Sequence, residues 1–202
     1  MNNTIFTKIV AFFIIFVLIF FFRLPGVNSI NINVEKSNKI LYVGGSGEEN
    51  FTLIQDAVDN TTDGDTVFVY PGIYVENIVI DTSISLIGES KFNTIIDANH
   101  REDAIKILSE NTLISQFTLL NATGTALFDE FRAAINVTKP NNEIKGNIIT
   151  DNNVGVFTLR SKDNTIINNQ FFDCGILISP YTVSEVNIPL EKDYFIQNIE
   201  NN

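Results

Sequence analysis

Between Val67 and Ile178 the chain is a train of very short apolar runs, rich in Ile and Val and divided by Asn, Asp, Gly and Ser. They read Val67–Val69, Ile78–Ile80, Ile84–Ile87, Thr94–Ile96, Ala104–Ile107 and Phe117–Leu119. Ala134–Val137, Ile148–Ile149, Val154–Phe157, Thr165–Ile167 and Gly175–Ile178 follow. Short β-branched runs between turn residues are strands. These are too short and too many for an ordinary open sheet. Their spacing chooses among the alternatives. The stretch Asn142–Asn147 is echoed by Asn164–Asn169 at an offset of 22, and Asp151 meets Asp173 at the same offset. Asn111–Gln116 reads as an earlier copy, displaced further by an insertion from Thr123 to Arg132. A fixed period in the twenties with one set of short strands per unit means a solenoid. Leucine-rich repeats share the period, but their Leu spacing is missing. Asn stacked at one register suits a parallel β-helix, in which equivalent side chains lie about 4.8 Å apart and form amide ladders.

A coil cannot bury its inner residues alone, so the core exists only by stacking. Five or six coils fit between residues 64 and 178, a rod roughly 25–30 Å long at the spacing of parallel strands. The first coil would be open. Thr52 and Gln55 stand at capping-box spacing, and Leu53, Ile54, Ala57 and Val58 recur at a helical period. A short helix near 52–59 is therefore the expected N-terminal cap, following a polar lead-in from residue 30. No comparable helix closes the other end, where residues 179–202 form a mixed tail, and an uncapped coil edge invites self-association.

Residues 1–29 stand apart. Lys8 precedes an unbroken apolar run from Ile9 to Phe22, followed by Arg23, Pro25 and Val27-Asn28-Ser29. A run of that length suits a signal-peptide core and falls short of the ~20 residues that span a bilayer. Cleavage after Ser29 is expected, with an uncleaved N-terminal anchor as the alternative. Either way the remainder is exported to the cell surface or the medium. It carries four sequons, at Asn50, Asn60, Asn121 and Asn136, each a potential N-glycosylation acceptor if it lies on the surface. The whole chain has 13 basic and 24 acidic residues, a net charge of −11. That balance argues against a nucleic-acid partner, whose phosphates want Lys and Arg. One Cys, one His and one Met cannot build a zinc or copper site, and one Cys cannot form an internal disulfide.

Five motifs follow one another in order: Tyr42-Val43-Gly44-Gly45-Ser46-Gly47, Thr52-Leu53-Ile54-Gln55-Asp56-Ala57, Asp63-Gly64-Asp65-Thr66-Val67, Pro71-Gly72-Ile73-Tyr74-Val75-Glu76 and Ile84-Ser85-Leu86-Ile87-Gly88. This series resembles the N-terminal portion of pectin-lyase-like right-handed parallel β-helix proteins. It is especially similar to the archaeal surface and NosD-like β-helix group, over about residues 40–178. The resemblance implies an all-β fold, a single-stranded right-handed parallel β-helix with a short N-terminal capping helix. It is specific for fold and poor for activity, because this fold hosts lyases, esterases, hydrolases and non-enzymatic adhesins. The metal delivery that NosD-like proteins imply finds no ligand set here.

Pectin methylesterases begin similarly and use a Gln-Asp-Thr-Leu motif and an Asp-Phe-Ile-Phe-Gly motif. This chain has Asn153-Val154-Gly155-Val156 where the first would fall and nothing matching the second. Lyases of the fold combine a base with acids that hold calcium. Asp97, Asp103, Asp129, Glu130, Asp151 and Asp173 are the available acids, and Arg101, Arg132 and Arg160 the available bases. Calcium needs six to eight converging oxygens; only Asp151 and Asp173 share a register, which equally suits turn ends on a solvated surface. No cofactor or metal site is therefore expected. Glycosidases need two facing carboxyls, and no repeated Gly-Asp-Asp or similar doublet appears in the strand region. His100, flanked by Arg101, Glu102 and Asp103, would be a general base only if a substrate reached it; solvation is the plainer role. Cys174, among Phe171, Phe172 and Ile176, is expected to face inward as a small apolar residue. No catalytic residue is assigned.

The insertion Thr123–Arg132 must bulge from the solenoid, and loops leaving a rigid scaffold are where binding residues concentrate. Phe128 and Phe131 would stack on a sugar while Asp129, Glu130 and Arg132 bond its hydroxyls; alternatively the two Phe cover the coil flank. The reading that follows is an exported, non-catalytic scaffold that binds glycans or builds the envelope. A polysaccharide lyase or hydrolase is the alternative, and it requires Asp and Arg side chains to converge in a groove beside the insertion. A third reading is a fragment of a longer β-helix protein.

Overall fold

The computed structural model describes residues 38–123, 132–158, 161–178, 183–187 and 196–197. The first strand, β1 (Ile40–Val43), precedes the helix α1 (Ile54–Asp59). Five three-stranded coils follow. They are β2 (Thr66–Val69), β3 (Gly72–Val75) and β4 (Ile78–Ile80); β5 (Ser85–Gly88), β6 (Thr94–Asp97) and β7 (Ile105–Ile107); β8 (Leu113–Ser115), β9 (Thr118–Leu120) and β10 (Ala133–Val137); β11 (Glu143–Lys145), β12 (Ile148–Thr150) and β13 (Val154–Thr158); and β14 (Asn164–Ile167), β15 (Gln170–Phe172) and β16 (Gly175–Ile178). Two further strands, β17 (Val183–Asn187) and β18 (Ile196–Gln197), stack on the fifth coil. The first sheet runs β1-β2-β5-β8-β11-β14-β17, the second β3-β6-β9-β12-β15 and the third β4-β7-β10-β13-β16-β18. Every pairing between these strands is parallel. The fold is the parallel β-helix expected.

Alternation places one or two residues of most of the shorter strands inside, and the register stacks them like on like. Leu41, Val67, Leu86, Ile114, Ile144 and Ile166 form one column in the first sheet. Tyr74, Ile96, Leu119, Ile149 and Phe171 form another in the second. Ile78, Ile105, Ile135 and Val156 form a third. Each such side chain contributes roughly 1.5–3 kcal/mol on burial, and none of that exists for an isolated coil.

The offset of 22 holds between the fourth and fifth coils, where Glu143 pairs with Thr165 and Ile148 with Gln170. The earlier copy is shifted by one from the sequence reading: Leu113 opposes Glu143, so Thr112 and not Asn111 lies over Asn142. The backbone explains why. Asn111, Asn141 and Asp163 have φ of 56°, 61° and 55° and form one column of left-handed corner residues. Gln116, Gly146 and Asn168 (66°, 66°, 56°) and Asn121, Asp151 and Asp173 (64°, 55°, 47°) form two more. Gly, Asn and Asp tolerate this region best, hence their regular recurrence.

The residue after each corner turns inward. Asn142 Oδ1 accepts from Thr112 N–H at 2.8 Å and Asn164 Oδ1 from Asn142 N–H at 2.9 Å. Asn147 Oδ1 accepts from Phe117 N–H at 3.0 Å, Asn169 Oδ1 from Asn147 N–H at 3.0 Å, and Asn152 Oδ1 from Ala122 N–H at 2.8 Å. Asn147, Asn169 and Asn152 also donate through Nδ2 to Ile114, Ile144 and Leu119 carbonyls of the coil before. Buried corner amides are thereby satisfied between coils.

The helix caps the coil stack, but not through a capping box. Its N-cap is Leu53, which makes no side-chain cap bond. Glu76, between β3 and β4, supplies both acceptors instead: Oε1 to Ile54 N–H at 2.9 Å and Oε2 to Gln55 N–H at 3.0 Å. Gln55 is thus released to imitate a strand, accepting from Val79 N–H at 2.8 Å and donating to Val79 O at 3.1 Å. That seals the edge of β4. Ile54, Ala57 and Val58 cover the first coil beneath. The polar lead-in also holds β1, which the sequence reading left irregular.

Candidate glycan-contact surface

The insertion residues Phe128, Asp129, Glu130 and Phe131 lie outside the described residues, as do Arg160 and the N-terminal segment. Arg132, at the insertion's C-terminal root, is described. Its Nη1 meets Glu102 Oε2 at 2.5 Å. These two line a groove of about 330 Å³ on the outer side of the third sheet, together with Asn77, Val79, Asp103 and Lys106. Asp and Arg side chains thus do converge beside the insertion. Asp103 is built into the fold: 6% exposed, it accepts from Ala133 N–H through Oδ1 and from Asn136 Nδ2 through Oδ2, each at 2.8 Å. A buried carboxylate engaged on both oxygens ties the start of β7 to β10 and so has a structural task of its own.

The remaining acids and the histidine have local roles. Asp97 Oδ1 accepts from Asn99 N–H at 2.8 Å and Asn121 Nδ2 at 2.9 Å. Asp151 and Asp173 occupy the left-handed corner column, which accounts for their shared register. His100, also left-handed (φ 57°), sits with Nδ1 2.5 Å from Thr123 Oγ1. Arg101 is exposed in the same loop. Among the described residues, no three His, Cys, Asp or Glu side chains come together to hold a metal ion. The Asn153–Val156 stretch, where an esterase motif would lie, enters β13 with Val154 and Val156 buried.

Cys174 stands in the inward corner column where its counterpart one coil earlier is Asn152. Its Sγ lies 3.7 Å from Ile149 O, replacing the amide that the other corners use. Burial, with the nearby Asp173 and Asp151 charges in support and the Phe172 backbone hydrogen bond opposing, pushes the thiol up to about 12. It is a packing residue.

Of the sequons, Asn60 is exposed at the C-cap of α1, its Nδ2 donating to Asp56 O at 2.8 Å. Asn121 and Asn136 are half-buried, with Nδ2 bound to the Asp97 and Asp103 carboxylates, and Asn50 Nδ2 donates to Gly44 O at 2.5 Å.

One surface was missed by the sequence reading. Tyr42 on β1, Phe68 on β2 and Tyr70 just after it project from the first sheet. The Tyr42 and Tyr70 rings stack at 6.0 Å and 24°, and Phe68 meets them edge-on at 6.1 and 5.4 Å. With Ile40, Thr66, Ile87 and Glu89 they line a groove of about 670 Å³. Gly45 makes room for it: at φ 68°, a Cβ there would come within 2.7 Å of the Tyr70 ring. The signal was in the sequence, but only through the register. Tyr42 lies opposite Phe68 at an offset of 26, outside the recognisable repeat.

No family model matches the chain. A cell surface glycoprotein of Methanothermus fervidus is 38% identical over 73 residues, which is 35% of this chain and 12% of that protein. The chain therefore spans a small part of the length of the curated relative it matches. Among solved structures, a pectin methylesterase variant in complex with a hexasaccharide is 17% identical, with a TM-score of 0.45 over 68% of this chain and 54% of that one. Pectin methylesterase PemA from Erwinia chrysanthemi is 15% identical, with a TM-score of 0.44 over 69% of this chain and 55% of that chain. The Aspergillus niger pectin methylesterase is 16% identical, with a TM-score of 0.43 over 73% of this chain and 61% of that chain. The chain spans a little over half of each.

Proposed function

We propose that this chain is an exported surface protein whose β-helix is a rigid, non-catalytic scaffold that contacts glycans along its side. The observation that carries the reading is the aromatic groove on the first sheet. Three clustered rings, flanked by the Thr66 hydroxyl and the Glu89 carboxylate, offer apolar faces for sugar C–H groups and polar atoms for hydroxyls. The partial match to a cell surface glycoprotein supports the location, and the exposed Asn60 sequon suits glycosylation there. The insertion side chains Phe128, Asp129, Glu130, Phe131 and Arg132 would add a second contact beside the charged groove.

A second reading, a polysaccharide lyase or hydrolase, draws on that charged groove, since Glu102, Asp103, Lys106 and Arg132 share it. The engagement of Asp103 and the Glu102–Arg132 pair weighs against turnover there. A glycan array probed with the exported protein tests the scaffold reading. Binding that Tyr42→Ala and Tyr70→Ala each weaken at least tenfold supports it. A blank array, with protein absent from the surface of intact cells, would remove it.

A further inference from the structure

We infer that the outer face of the second sheet is a self-complementary surface on which two copies of this chain associate about a twofold axis. The face has ten outward positions, two on each of five strands. One row reads Ile73, Ile95, Thr118, Ile148 and Gln170 from first coil to last. The other reads Val75, Asp97, Leu120, Thr150 and Phe172. Ile73 is 69% exposed, Val75 57% and Phe172 42%, so large apolar groups stand in solvent at both ends of the sheet.

A twofold axis in the plane of this face and parallel to the central strand reverses the order of coils while keeping each row opposite itself. Ile95 then meets the second copy's Ile148, and Thr118 meets its own equivalent. In the other row Val75 meets Phe172, Leu120 meets Leu120, and Asp97 lies across from the Thr150 hydroxyl. Only Ile73 opposite Gln170 pairs unlike with unlike. Isologous association needs this kind of agreement of a patch with its own reversal.

Charge leaves this face as the one open to a second copy. The chain carries −11 overall, so two copies repel across most approaches. On this face the single ionisable side chain is Asp97, whose Oδ1 is already held by Asn99 N–H and Asn121 Nδ2. The outer strands lie roughly 19 Å apart at a strand spacing of about 4.8 Å. That makes the contact smaller than the ~800 Å² per partner of a standard stable interface. Association is accordingly weak and concentration-dependent.

Leu120 lies on the axis and supplies the test. Sedimentation equilibrium of the full chain, expressed for export and purified after export, should show the mean mass rising toward twice the monomer between micromolar and near-millimolar concentration. Leu120→Lys and Leu120→Glu place like charges against each other, and each should stay monomeric throughout. Mixed in equal amounts they should associate again, because only the opposite-charge pair is then formed across the axis. Ile167→Lys, outward on the first sheet, should leave association unchanged. If Leu120→Lys fails to fold by circular dichroism, Ile148→Lys carries the same expectation and is rescued by Ile95→Glu. A parent chain monomeric at every concentration would overturn the proposal. So would Leu120 and Ile148 variants that associate like the parent, the result expected if the coil ends were the contact instead.

Discussion

Replacing Asn147 by Ala removes the acceptor for Phe117 N–H and the donor to Ile114 O, both buried. Each orphaned group costs about 1–3 kcal/mol, so urea denaturation should show Asn147→Ala among the most damaging single changes. Asn153→Ala, exposed on the next corner, should be near neutral. At Cys174 the thiol pushed up to about 12 is protonated at neutral pH and should not react with a thiol reagent at pH 8 until the protein unfolds. Asp65 carries a pH signature. Burial works against its charge, yet the Lys39 and Thr62 N–H groups, the Thr62 hydroxyl and the Lys39 ammonium hold its carboxyl below the ordinary 3.8. A depressed folded value means stabilisation complete above 3.8 and lost as pH falls through the lower value. Thermal melts of Asp65→Asn should show lower stability at pH 7 and a flatter decline on acidification. The corner Asn residues were visible in the sequence as a repeat. Their buried, coil-to-coil bonding was not, because the partner lies a whole coil away and Asn111, a corner residue, looks identical to Asn142, a ladder residue.

Helix α1 and its cap belong to the next scale. Glu76→Ala leaves Ile54 and Gln55 N–H without their acceptor and should cost about 0.5–2 kcal/mol by chemical denaturation, as loss of a helix cap does. Thr52→Ala should cost little, since no Thr52 cap bond forms. The sequence offered the wrong cap because capping-box reasoning is local, whereas Glu76 arrives from more than twenty residues further on. The strands divide by the same logic. Runs with two inward residues, such as Ile78–Ile80, were legible. Strands β11 and β15 each bury one side chain, Ile144 and Phe171, and Glu-Ile-Lys or Gln-Phe-Phe carries no alternation long enough to read. Strand β3 was hidden because Ile73 and Val75 point outward and only Tyr74 is buried.

For the whole molecule, repetition supplied the fold and withheld the function. The period and the motif series led to a parallel β-helix. The candidate residues at 128–131 lie outside the described structure, and the aromatic groove joins side chains spread from Tyr42 to Glu89 that only the stacking of three strands brings together. A Gly45→Ala change should test this dependence: the Cβ forces Tyr70 aside and φ of 68° strains an alanine, so glycan binding should fall together with a modest loss in melting temperature. The central claim is binding without turnover. Its most direct test is one sample of exported protein incubated with a panel of acidic and neutral polysaccharides, with and without calcium, scored together for retention on the polymer and for unsaturated ends or new reducing ends. Retention that Tyr42→Ala abolishes, with no product in any sample, is the result this account predicts. Product formation that survives Tyr42→Ala and disappears with Arg132→Ala would contradict it and make the charged groove an active site.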